Sequence, residues 1–127
     1  MYSVSKRMEI AGAHQLNLDY DSPCQNLHGH NWIVTVFCAA TELDQNGMVV
    51  DFAKVKKDIH GVLDHEFVNE VIGSDMNPTA ENMAKWIADK VTKICCEDGY
   101  CYKVIVQESE GNMAMYSREI GGRSDRL

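Results

Sequence analysis

Runs of alternating and helically spaced apolar residues divide the chain into six segments separated by clear turns. Residues 2–12 have mixed, strand-compatible character and lead to an isolated histidine, His14, in Ala-Gly-Ala-His-Gln-Leu. Asn17 to Pro23 collects turn formers and reads as a loop. Residues 28–41 are rich in Val, Ile, Thr, Phe and Trp, the composition of a long strand. Asp44-Gln-Asn-Gly47 is a turn, and Asp51 then stands as an N-cap before Phe52, Val55, Ile59, Val62 and Leu63 at helical spacing. A second helix carries one apolar stripe, Ala80, Met83, Ala84, Ile87, Ala88, Val91, Ile94 and Cys95, started by Asn77-Pro78-Thr79 and stopped by Glu97-Asp-Gly99. Tyr102 to Gln107 and Met113 to Glu119 read as strands of a hairpin around Gly111-Asn112.

The order ββααββ predicts an α+β fold, with two helices on one face of a four-stranded antiparallel sheet. No repeat or linker interrupts it, so residues 1–120 are expected to form a single domain, with Gly121 to Leu127 as a frayed tail. Long, unprotected edge strands invite pairing with other chains, which predicts assembly with further subunits.

Composition narrows the function classes. The 127 residues, 45% of them apolar, suffice for a core without staples. A net charge of −7 with no basic run argues against nucleic acid or an anionic membrane as partner. A phosphorylated substrate stays open, since a few local cations decide that. No apolar run approaches the roughly 20 residues that span a bilayer, and the N-terminus lacks a signal-peptide core. Five cysteines, an odd number without CxxC spacing, predict free thiols and a cytoplasmic location.

The histidines carry the clearest chemistry. In a strand His28 and His30 project from the same face, one pleat apart, so two imidazoles can reach one metal ion. A third from a neighbouring strand, His14, would leave one position open, as in catalytic rather than structural zinc sites. The ordinary alternative is a pair of exposed imidazoles at a strand entrance. Mid-helix His60 reads as a surface residue. Cys38, Cys95, Cys96 and Cys101 read as inert small hydrophobes. Cys24 lies in a polar loop four residues before His28, where a nearby dication would favour its thiolate. A fourth ligand, a nucleophile and a general base are all open to it. Asp64-His65 is either a solvated helix terminus or a carboxylate orienting an imidazole for acid–base work. Glu108 extends the row of Val104 and Val106, either as a strand-end charge or as a carboxylate receiving two parallel N–H donors.

In order, Ala13-His14, Cys24-x-x-x-His28-Gly-His30-Asn, Gly47-Met-Val-Val-Asp51-Phe52, Leu63-Asp64-His65-x-Phe67-x-Asn69, Pro78-Thr79-Ala80-Glu81-Asn82 and Glu108 resemble the 6-pyruvoyl-tetrahydropterin synthase family. The match runs over residues 3–117 and is closer to the bacterial 6-carboxy-tetrahydropterin synthase branch of queuosine synthesis. The resemblance implies the tunnelling fold, with subunits assembling into a barrel, usually a hexamer of two trimers, and active sites between subunits. It implies Zn2+ on His14, His28 and His30, Cys24 as base, and Asp64 and His65 as a proton relay. Glu108 would anchor the pterin's 2-amino-pyrimidinone edge, with Thr79 near the ring. The implied activity is conversion of 7,8-dihydroneopterin triphosphate to 6-carboxy-5,6,7,8-tetrahydropterin, acetaldehyde and triphosphate. Departures are Gly12 two residues before the first ligand, Gln15 where the family has arginine, and Ser109 after Glu108. Lys6, Arg7 and Lys56 are the candidates for holding the triphosphate.

Overall fold

A computed structural model describes residues 1–73 and 75–119. The tail expected at 121–127 lies outside the described residues. Strand β1, Tyr2–His14, pairs antiparallel with β2, His28–Ala40, over its whole length. Both strands present alternate residues to the core: Met8 and Ile10 from β1, Trp32, Val34 and Val36 from β2. Strand β4, Tyr100–Ser109, flanks β2 and adds Val104 and Val106. Strand β5, Asn112–Ser117, turns back on β4 through Gly111, whose φ of 83° suits a residue without Cβ.

Helical residues cover this apolar face. The first expected helix is a continuous run of three pieces: α1, Phe52–Val55, a π-helical turn, Lys56–His60, and α2, Gly61–Leu63. Asp51 caps it as expected, its side chain accepting from Ala53 N at 2.9 Å. Gly61 N–H reaches back five residues to Lys56 O, which widens the helix before Asp64. Helix α4, Ala80–Ile94, lays Met83, Ala84, Ile87, Ala88 and Val91 on the sheet, and Thr79 caps its start. Cys38 and Cys101 are buried partners across β2 and β4, and among the described residues no disulfide joins the cysteines.

The expectation of a four-stranded antiparallel sheet is corrected. Among the described residues the sheet has five strands in the order β3-β1-β2-β4-β5, and it is mixed. Strand β3 is only Glu66–Phe67, parallel to Gly12 and Ala13, and too short to leave a periodic pattern. A short helix, α3, Val68–Ile72, follows it, so two helices become more. Strand β1 runs two residues beyond the expected end, which places His14 inside the sheet.

Gly12 is closely approached by Trp32 and by the backbone of Leu63 and Glu66. A Cβ there would lie 3.0 Å from Cζ3 of the buried Trp32 and 3.2 Å from Glu66 O. Gly12→Ala is therefore expected to destabilise the fold by about 1–3 kcal/mol through overpacking. Urea denaturation measures this, and an unchanged midpoint would contradict the packing.

Candidate metal centre

The β1–β2 register sets the histidines face to face. His14 pairs with His28, and Gly12 pairs with His30, so all three side chains emerge on the helix-covered side at one end of the sheet. Their ring nitrogens lie within 4.8 Å of one another. His14 is 1% exposed, seated beside Trp32 with ring centroids 5.1 Å apart.

Two backbone carbonyls fix which nitrogens face inward. His14 Nδ1 donates to Pro78 O at 2.8 Å, and His28 Nδ1 donates to Asn26 O at 2.7 Å. A carbonyl can only accept, so both rings carry their proton on Nδ1 and leave a lone pair on Nε2. The two Nε2 atoms are 2.9 Å apart. In the neutral rings those lone pairs oppose each other, and a shared cation is what reconciles them. Two nitrogens on one tetrahedral ion lie roughly 3.3 Å apart, close to this spacing. The donor set therefore fits a metal ion held by His14, His28 and His30, with each proximal carbonyl orienting its ring.

Burial pushes the His14 imidazole below its ordinary value, while the Pro78 carbonyl and Glu108 work in the opposite direction. Glu108 is the extra residue of a β-bulge, between the pairs Gln107–Met113 and Ser109–Asn112. The bulge re-aims its carboxylate. Glu108 Oε1 stands 3.6 Å from His14 Nε2 and 3.5 Å from His30 Nε2. It also lines a cleft of about 370 Å³ with Ala80, Glu81, Met113 and Met115. Sequence reasoning gave Glu81 no role of its own, because an acid in the first turn of a helix is ordinary.

Asp64 and His65 follow the first helical run and are held by one residue of β1. Ala11 N donates to Asp64 Oδ1 at 2.9 Å, and Ala11 O accepts from His65 N. His65 has φ 59°, the one non-glycine residue in the left-handed region among the described residues. Its Nε2 lies 3.4 Å from Asp64 Oδ2. His60, read from sequence as a surface residue, is half-buried with Nε2 3.7 Å from the same oxygen. Only a contact four residues along the helix could have signalled it.

Cys24 sits in a 3-10 turn, Pro23–Gln25, with its carbonyl accepting from Leu16 N at 3.0 Å, two residues past His14. It is exposed, and among the described residues its thiol bonds to neither Asp64 nor His65. Thr79 Oγ1 accepts from Asn82 N at 3.1 Å. Lys6 and Arg7 lie eight and seven residues from His14 along β1, roughly 25 Å away at strand rise, so neither reaches the cluster within the subunit. Lys6 Nζ instead lies 5.9 Å from the Phe52 ring centroid. Hydrogen bonding from Cys101 and Cys95 pushes the Cys38 thiol above its usual range, in keeping with an inert core residue.

Residues 3–119 match the family described as 6-pyruvoyl tetrahydropterin synthase. The 6-carboxy-5,6,7,8-tetrahydropterin synthase of Bacillus subtilis is 32% identical over 129 residues, covering 95% of this chain and 88% of its own length. The human 6-pyruvoyl tetrahydrobiopterin synthase is 31% identical over 133 residues, covering 91% of each chain. Among solved structures, the Caenorhabditis elegans 6-pyruvoyl tetrahydropterin synthase superposes with a TM-score of 0.70 at 25% identity, over 93% of this chain and 96% of that one.

Titration with a divalent transition ion is expected to fill one site per chain, and His14→Ala or His28→Ala to abolish it. Full stoichiometry in either variant would contradict the cluster. Since burial lowers the folded-state value of His14, its contribution to stability is present above about pH 6.5. It is lost as pH falls through the depressed value. Urea unfolding of metal-free protein between pH 7.5 and 5.5 should show this loss, and His14→Gln should flatten it.

Proposed function

The chain belongs to the 6-pyruvoyl tetrahydropterin synthase family, and we propose that it is a zinc-dependent lyase of that family's 6-carboxy branch. Its reaction converts 7,8-dihydroneopterin triphosphate and one water to 6-carboxy-5,6,7,8-tetrahydropterin, acetaldehyde and triphosphate, within queuosine and 7-deazapurine synthesis; the water supplies the second carboxyl oxygen when the side-chain carbon–carbon bond breaks. The observation that carries this reading is the convergence of three imidazoles, two of them oriented by backbone carbonyls, beside a cleft containing Glu108. The Bacillus relative, matched over nearly the whole chain, favours the 6-carboxy product.

Bound zinc supplies Lewis acidity toward the hydroxyls of the substrate side chain, which acidifies the neighbouring C–H bonds. The Cys24 thiolate takes such a proton, and His65 holds and returns one at a second carbon. Asp64, tied to β1 through Ala11 N, orients His65, whose Nε2 lies 3.4 Å from Asp64 Oδ2. Glu108 accepts two parallel N–H donors from the 2-amino-pyrimidinone edge, and the apolar side chains of Met113 and Met115 lie along the same cleft. The Thr79 oxygen accepts the helix-capping bond, which leaves its O–H free to donate to the ring.

The active site is completed between subunits of a homohexamer, a dimer of trimers. The exposed, mutually unbonded Cys24 and His65 support this, as do Met113 and Met115 exposed on edge strand β5. Five cysteines without a disulfide among the described residues support a cytoplasmic location. Among the described residues no helix is long and apolar enough to cross a membrane.

Mass spectrometry of products from zinc-loaded protein and 7,8-dihydroneopterin triphosphate is expected to show a 6-carboxy pterin and acetaldehyde. A 6-pyruvoyl product would move the chain to the reaction named for the human relative. Unchanged substrate, with zinc retained, would overturn catalysis. Cys24→Ala should lower kcat by about 10²-fold or more while keeping zinc; retained turnover would remove Cys24 as base.

A further inference from the structure

Strand pairing of β1 ends at His14, but the backbone beyond it is still held at strand spacing, by side chains. Asn69 Oδ1 accepts from Gln15 N at 3.0 Å, and Asn69 Nδ2 donates to Gln15 O at 2.8 Å. Two residues on, Asn77 repeats the pattern: Oδ1 accepts from Asn17 N at 2.9 Å, and Nδ2 donates to Asn17 O at 3.0 Å. Each side-chain amide thus stands in for a strand residue, with its orientation fixed because a backbone N–H must meet oxygen and a carbonyl must meet nitrogen. Residues 15 and 17 present their backbone groups to the same edge, and residue 16 faces the other way. On that other side Leu16 N donates to the Cys24 carbonyl at 3.0 Å.

The rest of the loop is closed on itself. Gln25 Nε2 donates to Leu18 O at 3.1 Å and to Tyr20 O at 2.5 Å, and Cys24 N donates to Ser22 Oγ at 3.2 Å. The anchors are rooted in the site. Asn69 lies in α3, four residues after His65, and Asn77 immediately precedes Pro78, whose carbonyl holds His14. Asn77 O also accepts from Thr79 N and from Asn82 Nδ2, both at 2.8 Å, which fixes the start of α4.

We propose that Asn69 and Asn77 are positioning residues for Cys24. Their paired amides hold residues 15–17 in extended register, and Leu16 transmits that register to the cysteine carbonyl. The cysteine loop is therefore built before substrate arrives, and its distance from the metal centre is set by side chains far along the chain. The inference rests on the reading of Cys24 as the base.

The test uses full-length Asn69→Ala, Asn77→Ala and Asn77→Asp; the last keeps the acceptor for Asn17 N and loses the donor. Hydrogen exchange by mass spectrometry, zinc per chain, and kcat and KM for 7,8-dihydroneopterin triphosphate are read on each. Both alanine variants should exchange amides of residues 15–26 about tenfold faster than wild type. Their kcat should fall about 10- to 100-fold, with KM and zinc within about twofold, and Asn77→Asp should recover part of the loss. Unchanged exchange, or faster exchange with kcat within twofold, overturns the proposal. So does a kcat that falls only in step with zinc, since the clamps would then serve the metal ligands. An inactive wild type would refute the proposed reaction, and the exchange comparison would still decide whether the clamps hold the loop.

Discussion

Two carbonyl groups govern the site. Pro78 O and Asn26 O take the Nδ1 protons of His14 and His28, which turns both Nε2 lone pairs toward one point. An imidazole free to rotate or to change tautomer would escape that opposition; these rings are held to it by hydrogen bonds, the one to His14 buried and the one to His28 exposed, and by the strand register. Each carbonyl comes from a segment with its own anchor. Pro78 precedes the capped start of α4, and Asn26 follows the turn that carries Cys24.

The same end of β1 organises the remaining groups. Ala11 holds Asp64 by its N–H and His65 by its carbonyl, three residues before His14. Gly12 leaves room for Trp32, on whose ring His14 rests edge-on. The left-handed conformation of His65 costs on the order of 1–3 kcal/mol, and the Ala11 bonds together with the β3 pairing to Gly12 and Ala13 keep it in place.

The parts of this arrangement that were legible in the sequence share a period. Strand-compatible composition marked β1 and β2, the two-residue strand period put His28 and His30 on one face, and the helical stripe from Ala80 to Val91 marked α4. What the pattern missed is carried by contacts without a local signature. Strand β3 has two residues, the widened turn at Lys56–His60 keeps ordinary helical spacing in sequence, and Ala11 is unremarkable as a letter. Glu108 was visible as a charge continuing an apolar row, but its approach to His14 and His30 depends on a bulge that only the register of β4 and β5 reveals. His60 was set aside because a histidine among lysines looks solvated, and its nearness to Asp64 follows from helix geometry.

Three imidazoles and no thiolate make up the donor set that fits a metal ion here. X-ray absorption at the zinc edge of the loaded protein tests it directly. The account predicts three nitrogens and a light oxygen donor at about 2.0–2.1 Å with no sulfur in the shell. A sulfur scatterer near 2.3 Å, removed by Cys24→Ala, would contradict it, because Cys24 would then be a ligand and could not serve as the base.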